Sequence, residues 1–342
     1  MSCGDRKATK VGILSMGDMG AGIAKLLIAH GFSVATNCRG RRRAITFPAF
    51  ARSQDTIDRA KAANVELLPS DLELAKQCPV ILSVVPPRDA EATAQRIADA
   101  ISGGSSSLSV FFVDLNAVSP STSKGIAEMF RRARVPVPFI DGCILGAPPR
   151  QRLAANSATG SENSDEEPDW IRPNMPISGP HALSSLENGE KLAKVLNFRS
   201  ISPDIGAASG LKMCFAAMTK GFTALATQAF TTAHRLGVTD ELKREMREIF
   251  PNHLTAAERS VPNVPPKAYR WVKEMEEISD TMHEQGGWTK ELFHGIAGVY
   301  KAVAEDAVLG KERIGKRVRG KSIEDVAAAM GEGLERKRKK TE

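Results

Sequence analysis

Short apolar runs punctuate the first half of the chain at Val11–Leu14, Phe32–Thr36, Pro79–Val85, Val110–Asp114 and Val137–Asp141, each bounded by glycine, proline or polar residues. Near-continuous apolar runs of this length predict strands buried on both faces of a parallel sheet. Between them the period changes to that of helices: one follows Val11–Leu14, a polar helix ends at Lys61–Ala63, and Asp71–Gln77, Arg88–Ile101 and Ser119–Arg132 repeat the pattern, with a short strand at Val65–Leu68. Regular alternation of this kind predicts a doubly wound α/β sheet. After Pro203 strand signals vanish, and Ile205–Leu236, Asp240–Ile249, Pro266–Glu284, Thr289–Val308 and Ser322–Arg338 all read as helices. The expected architecture is therefore an α/β domain over residues 1–204 followed by an all-α domain over residues 205–342. Two stretches break the rhythm and are read as loop insertions: residues 44–52, apolar without a period, and residues 151–169, rich in Ser, Asn, Asp and Glu.

The first strand passes through Ser15-Met16-Gly17-Asp18-Met19-Gly20 directly into a helix. That is the strand–turn–helix opening of a Rossmann-type dinucleotide-binding domain, with Ser15 at the place of the first glycine. Gly17 lets backbone approach a pyrophosphate, Gly20 lets helix and strand pack closely, and the helix N-terminus offers unpaired N–H groups to phosphate. NAD-binding units place an acidic residue about 20 residues further on, to hold the ribose 2′-hydroxyl. Here Asn37, Arg39 and Arg41 follow the second strand, and no acidic residue occurs between Asp18 and Asp55. Arginine binds phosphate oxygens that a carboxylate would repel, so NADP is the expected cofactor. A solvated basic loop or a nuclear-import patch is the alternative reading of these arginines.

The chain has 342 residues, enough for two domains, and its formal net charge of +7 is concentrated in Arg39–Arg43 and the last residues. With 5% aromatic residues and no base-reading motif, nucleic acid is not an expected partner. The five cysteines, Cys3, Cys38, Cys78, Cys143 and Cys214, are scattered without metal-ligand spacing, which points to free thiols, a reducing compartment and no metal. No apolar run reaches the ~18 residues of a membrane span, so a cytoplasmic location is expected and no membrane partner. The length of the Ile205–Leu236 helix, with Ala, Gly, Thr and Phe around much of its circumference, suggests that a second subunit covers part of it, as in a homodimer.

Several motifs taken together give the chain a resemblance to the β-hydroxyacid dehydrogenase superfamily, which includes 6-phosphogluconate and 3-hydroxyisobutyrate dehydrogenases. Gly17-Asp18-Met19-Gly20 resembles its Gly-x-Met-Gly turn, and Asn37 with Arg39 its 2′-phosphate site. Val84-Val85-Pro86 resembles the strand end beside the cofactor, and Asn116 lies in the segment beside nicotinamide and substrate. The stretch from Asp141 through Leu145, Gly146 and Ala147 resembles its substrate loop, and Gly206 to Lys212 its Gly-x-Gly-x-x-x-Lys. The stretch around Lys212 and Pro266–Trp271 looks closer to a 6-phosphogluconate-dehydrogenase-like branch with its own C-terminal helical domain.

The resemblance implies an NADP-dependent dehydrogenase or reductase acting on CH–OH donors of a small-molecule substrate, with Lys212 as acid–base group. Flanked by Leu211, Met213, Cys214 and Phe215, Lys212 sits in apolar sequence, where desolvation favours the neutral amine that takes a proton. The alternative is a lysine that snorkels from a buried helix to solvent. Lys220, eight residues on, is read either as a contact to an anionic substrate group or as one member of a surface ion pair. His234, His283 and His294 are read as structural. Three departures from the family separate this chain: Phe215 and Ala216 stand where a substrate-binding asparagine is usual, Leu145 replaces a serine, and Ser15 replaces the first turn glycine. They point to a less polar or differently anchored substrate. Two other readings stay open: imine reductase-like C=N reduction, which usually lacks the lysine, and a catalytically silent NADP-binding sensor. Against the family pattern, residues 44–52 read as an insertion specific to this branch or as the product of mis-joined exons.

Overall fold

The computed structural model describes residues 8–37, 48–104, 109–152, 169–314 and 316–341. Arg39, Arg41, residues 44–47 of the first expected insertion and residues 153–168 of the second lie outside the described residues. The first half contains strands β1 (Lys10–Leu14), β2 (Ser33–Thr36), β3 (Glu66–Leu67), β4 (Val80–Ser83), β5 (Phe111–Asp114) and β6 (Phe139–Gly142). They are connected through helices α1 (Asp18–Ala29), α2 (Pro48–Ala62), α3 (Asp71–Gln77), α4 (Ala90–Ser102) and α5 (Pro120–Arg132). A short hairpin, β7 (Arg150–Gln151) and β8 (Trp170–Ile171), precedes β9 (Met175–Ser178), α6 (Gly189–Leu196) and β10 (Phe198–Ser202).

The main sheet has the order β10-β9-β6-β5-β4-β1-β2-β3. All pairs are parallel except β6 with β9, so β9 and β10 run opposite to the rest. The expected doubly wound sheet is present, with this one departure from a purely parallel sheet. Its reason is connectivity. A parallel neighbour needs a crossover, usually helical, and no helix lies between β6 and β9 among the described residues. Strand residues alternate between two cores: Val11, Ile13, Val80, Leu82 and Val113 pack with α1 and α6, whereas Leu14, Ile81 and Phe112 pack with α3, α4 and α5. The Phe112 and Phe130 rings, 5.1 Å apart, anchor the second of these layers.

The second half consists of α7 (Ala207–Leu236), α8 (Thr239–Ile249), α9 (Pro251–Ser260), α10 (Ala268–Gly286), α11 (Glu291–Ala304) and α12 (Ile323–Thr341). Along α7, the hydroxyls of Thr219, Thr223, Thr227 and Thr231 each donate to the carbonyl four residues earlier, at 2.7–3.1 Å. This satisfies the hydroxyls within the helix and leaves the methyl groups for packing.

Two expectations about boundaries need correction. Residues 48–52, read as part of a loop insertion, are the first turns of α2. Pro48 opens that helix, a position where its missing N–H costs nothing. The chain also divides into compact units after Lys212 and not after residue 204, because the first turn of α7 is hydrogen-bonded to the end of β6.

Candidate functional site

The turn between β1 and α1 has the geometry its sequence requires. Gly17 is the N-cap of α1 and supplies no side-chain acceptor. A methyl group built on Gly17 would meet nothing within 4 Å, whereas one on Gly20 would lie 2.1 Å from the Ser15 carbonyl oxygen. Gly20 is therefore fixed by the close approach of helix to turn, and Gly17 faces open space at an uncapped helix end. A dinucleotide pyrophosphate fits such a site: among the described residues no side chain caps the first N–H groups, and the helix dipole favours an anion. Ser15 has φ +80°, so the serine keeps the left-handed backbone of the glycine it replaces, at a cost of about 1–2 kcal/mol. Met16 is buried, Met19 half-buried, and Asp18 exposed in the first turn of α1.

At the end of β2, Asn37 is buried and its Nδ2 donates to Asp71 Oδ1 at 3.0 Å. Asp71 in turn takes a two-pronged contact from Arg96, with Nε 3.0 Å and Nη2 2.8 Å from its oxygens. Asp71 brings a carboxylate beside the expected 2′-phosphate site that the linear sequence keeps 34 residues away. Its charge is balanced by Arg96.

Beyond β4, Val84, Val85 and Pro86 are half-buried. The Val85 N–H donates to Asn116 Oδ1 at 2.7 Å, and Asn116 Nδ2 donates to Ser83 Oγ at 3.0 Å. Asn116 is only 3% exposed. Its amide ties the ends of β4 and β5 together and holds the Val84–Pro86 segment in place.

Lys212 lies on the second turn of α7, half-buried, and its Nζ donates to the Ile144 carbonyl at 2.8 Å. That carbonyl is the base of the expected substrate loop, so the fold brings together two motifs 68 residues apart. Leu145 exchanges backbone hydrogen bonds with Asn174 at 2.8 and 3.1 Å, which uses up its N–H. Gly146 and Ala147 are exposed residues, and no partner for their N–H groups is found among the described residues.

The start of the lysine helix is held by a residue to which the sequence analysis gave no role. Asp141, at the end of β6, is fully buried. Its carboxylate accepts from Gly206 N at 2.9 Å, Ser209 N at 3.1 Å, Ser123 Oγ at 2.9 Å, Ser178 Oγ at 2.8 Å and Ser209 Oγ at 2.5 Å. Ser178 Oγ also accepts from Ala208 N at 3.0 Å. An Asp ending a buried strand, with Gly and Ser opening a helix, is a weak sequence signal until the fold shows that they meet. Asp114, the register partner of Asp141 on β5, is likewise buried, and its Oδ2 lacks a hydrogen-bond partner among the described residues. Burial pushes the Asp114 carboxyl up to about 7, opposed by the Asn116 N–H and reinforced by the Asp141 charge. Cys143, between Asp141 and Lys212 in its electrostatic surroundings, is pushed up to about 12, chiefly by burial. It is an unreactive thiol.

In the second unit, Lys220 pairs with Glu274, and its Nζ lies 5.1 Å from the centre of the Trp271 ring. The Tyr300 hydroxyl donates to the Lys220 carbonyl at 2.6 Å. Of the two readings of Lys220, these contacts fit the ion pair, although Glu274 is buried and the pair is not a surface one. Phe215 is exposed. Among the described residues no cluster of His, Cys, Asp or Glu is arranged to hold a metal, and no helix is long and apolar enough to cross a membrane.

Comparison with known proteins fits this geometry. Residues 10–111 match the family model described as NADP oxidoreductase, coenzyme F420-dependent, and residues 233–303 match a domain of unknown function, DUF1932. A conserved hypothetical protein of Sinorhizobium meliloti 1021 superposes with a TM-score of 0.57 at 22% identity, over 96% of this chain and 98% of its own. The 3-hydroxyisobutyrate dehydrogenase of Mycobacterium tuberculosis, solved with L-serine, gives 0.57 at 15% identity, over 95% and 98%. The fold is that of the 3-hydroxyisobutyrate dehydrogenases. The expected fold class is thus borne out, and the likeness to the β-hydroxyacid dehydrogenases holds in the fold, with a pyridine-nucleotide-binding fold in the first half. An uncharacterized 28.5 kDa protein from the 7S RNA 5′ region of Methanothermus fervidus is 26% identical over 197 residues. That match spans 58% of this chain and 64%, just under two thirds, of the relative.

Proposed function

We propose that this chain is an NADP(H)-dependent oxidoreductase that interconverts CH–OH and C=O groups of a small-molecule substrate, with Lys212 transferring the proton. The observation that carries this reading is Lys212 Nζ, held 2.8 Å from the Ile144 carbonyl at the base of the Leu145–Ala147 loop. The same unit carries the uncapped α1 terminus, with Gly17 facing open space, for the cofactor pyrophosphate. Arg39 and Arg41, together with the lack of acidic residues from Met19 to Gln54, support the 2′-phosphorylated cofactor.

When bound, the nicotinamide accepts or donates the hydride. Lys212 in its amine form takes the proton from the substrate hydroxyl during oxidation and returns it to the carbonyl oxygen during reduction. The Ile144 carbonyl accepts one hydrogen of Nζ and so holds the amine at the base of the loop. Gly146 and Ala147 offer N–H groups to a polar substrate group, while Leu145 presents an apolar side chain where the family places serine. A substrate less polar than a small hydroxyacid suits this loop.

Lys212→Met keeps the apolar stem and removes the proton carrier. With a panel of ketones and 2- and 3-hydroxyacids, we expect turnover to fall by about 10²–10⁴, the usual worth of a positioned acid–base group, with NADPH affinity unchanged. Full activity in this variant would overturn the lysine mechanism. A second reading, an NADP-binding sensor without turnover, is favoured by Leu145, whose N–H is bound to the Asn174 carbonyl at 2.8 Å and so cannot hold a substrate carboxylate. Tight NADPH binding with no turnover on any member of the panel would select it.

We further propose a homodimer formed through the helical unit. Support comes from an open groove of about 890 Å³ lined by Leu225, Ala229, Leu236, Val299 and Leu334, in which Leu225 is 56% and Leu236 70% exposed. Two-fold association is the commonest way to cover such a surface. Light scattering at micromolar concentration tests it, and a monomer would refute it.

A further inference from the structure

Arg59, three residues before the end of α2, is turned toward the cofactor turn. Its Nε donates to the Met16 carbonyl at 2.6 Å, and its Nη2 lies 3.5 Å from Thr56 Oγ1. Met16 is fully buried in the same apolar cluster as Ala60 and Ala63, so α2 packs directly against the turn that precedes Gly17. Arg59 is half-buried, and among the described residues no carboxylate pairs with it. Within this unit Arg96 pairs with Asp71 and Arg131 with Glu128, whereas Arg172, like Arg59, donates to backbone carbonyls.

Placing an unmatched guanidinium beside the positive end of α1 is electrostatically unfavourable in the absence of an anion, and it creates an anion site when one is present. The hydrogen bond to Met16 fixes the Nε edge of the guanidinium and leaves Nη1 available. At the end of β2, the Asn37 amide is engaged by Asp71, whose charge is already taken by Arg96. A phosphate arriving there therefore draws its counter-charge from elsewhere in the site.

We infer that Arg59 is a cofactor-specificity residue that binds the 2′-phosphate of NADP(H), reaching it from α2 across the Met16 carbonyl. This inference rests on the NADP reading above. It adds a ligand that the basic loop motif does not contain and that belongs to a different element.

The test is a set of binding titrations with NADPH, NADH, 2′,5′-ADP and 5′-AMP on the wild-type protein, Arg59→Gln and Arg59→Lys. For Arg59→Gln we expect NADPH and 2′,5′-ADP to weaken by about ten- to hundredfold, the range for hydrogen bonds to a charged group. NADH and 5′-AMP should stay within about threefold, which also shows that the turn is intact. Arg59→Lys should recover part of the loss, and the salt dependence of NADPH binding should fall in Arg59→Gln. Equal weakening of NADPH and NADH would assign Arg59 to the turn or the pyrophosphate and overturn the inference, as would no weakening at all. If the wild-type protein prefers NADPH and Arg59→Gln keeps that preference, the inference fails alone. If the wild-type protein shows no preference, the NADP reading fails and the inference falls with it.

Discussion

Two helices in the first unit begin at glycine-containing motifs, and their N-termini are treated in opposite ways. At α1, Gly17 leaves the first turn without a side-chain cap and facing open space. At α7, the buried Asp141 carboxylate accepts from the Gly206 and Ser209 N–H groups, and Ser178 takes the Ala208 N–H. Both ends carry the same partial positive charge and the same orphan donors. One is satisfied by a buried carboxylate, and the other has no side-chain cap among the described residues. A glycine motif at a helix start thus leaves room for an anion, and only the fold shows whether the protein itself supplies one. At α7 it does, and the consequence is rigidity in the turn that leads to Lys212. At α1 no such anion is found among the described residues, which suits the pyridine-nucleotide-binding fold of this half.

The largest expected effect is on the filled end. Asp141→Ala leaves three N–H and hydroxyl donors of the α7 start, and two further serine hydroxyls, without their shared acceptor. We expect a loss of about 3–5 kcal/mol in denaturant unfolding, as for other broken buried networks. A loss below 1 kcal/mol would mean that the α7 start does not depend on its internal anion.

The next effect concerns the neighbour of that anion, a carboxyl raised chiefly by its own burial and in smaller part by the Asp141 charge. Asp114 has its carboxyl raised from 3.8 to about 7, so the native state holds this proton more tightly than the unfolded chain. The stabilisation is complete below the unfolded value and is lost as pH rises through about 7. Unfolding measured from pH 5 to 8 should show stability falling by up to a few kcal/mol across that window, and Asp114→Asn should flatten the fall. An unchanged slope in the variant would assign the pH dependence to other groups.

The smallest effect lies at the open end. Ser15 holds φ +80°, so Ser15→Gly should relieve strain and raise stability by about 0.5–1 kcal/mol after the cost of a more flexible unfolded chain. A destabilised Ser15→Gly protein would mean that the hydroxyl makes a contribution larger than the strain.

Strands β1, β4, β5 and β6 were legible to within two residues because strands buried on both faces read as continuous apolar runs. Strand direction has no such signal, and the antiparallel β6–β9 pairing was not foreseen. β10 escaped because it is an edge strand whose residues are half-buried or exposed, with Arg199 and Ser200 inside it. The start of α2 was read as loop because an apolar segment with a proline shows no helical period, although proline suits the first helical position. At the site, Gly17–Gly20 and the meeting of Lys212 with the Ile144 loop followed from local motifs and their resemblance. The contacts of Asp141 with Gly206 and Ser209, 65 and 68 residues away, and of Arg59 with Met16, 43 away, depend on sheet order and helix packing, which no short window contains.

The central claim, that the open end of α1 is built for the phosphates of a dinucleotide, is tested most directly by giving α1 the arrangement found at α7. Gly17→Asp places a carboxylate at the N-cap, where the backbone is extended and unstrained and a Cβ meets nothing. In an NADPH titration followed by cofactor fluorescence, alongside thermal unfolding, the variant should be at least as stable as the wild-type protein. It should also lose NADPH affinity by about a hundredfold or more, the effect of setting one anion against another. A Gly17→Asp protein that binds NADPH as tightly as the wild type would contradict the account.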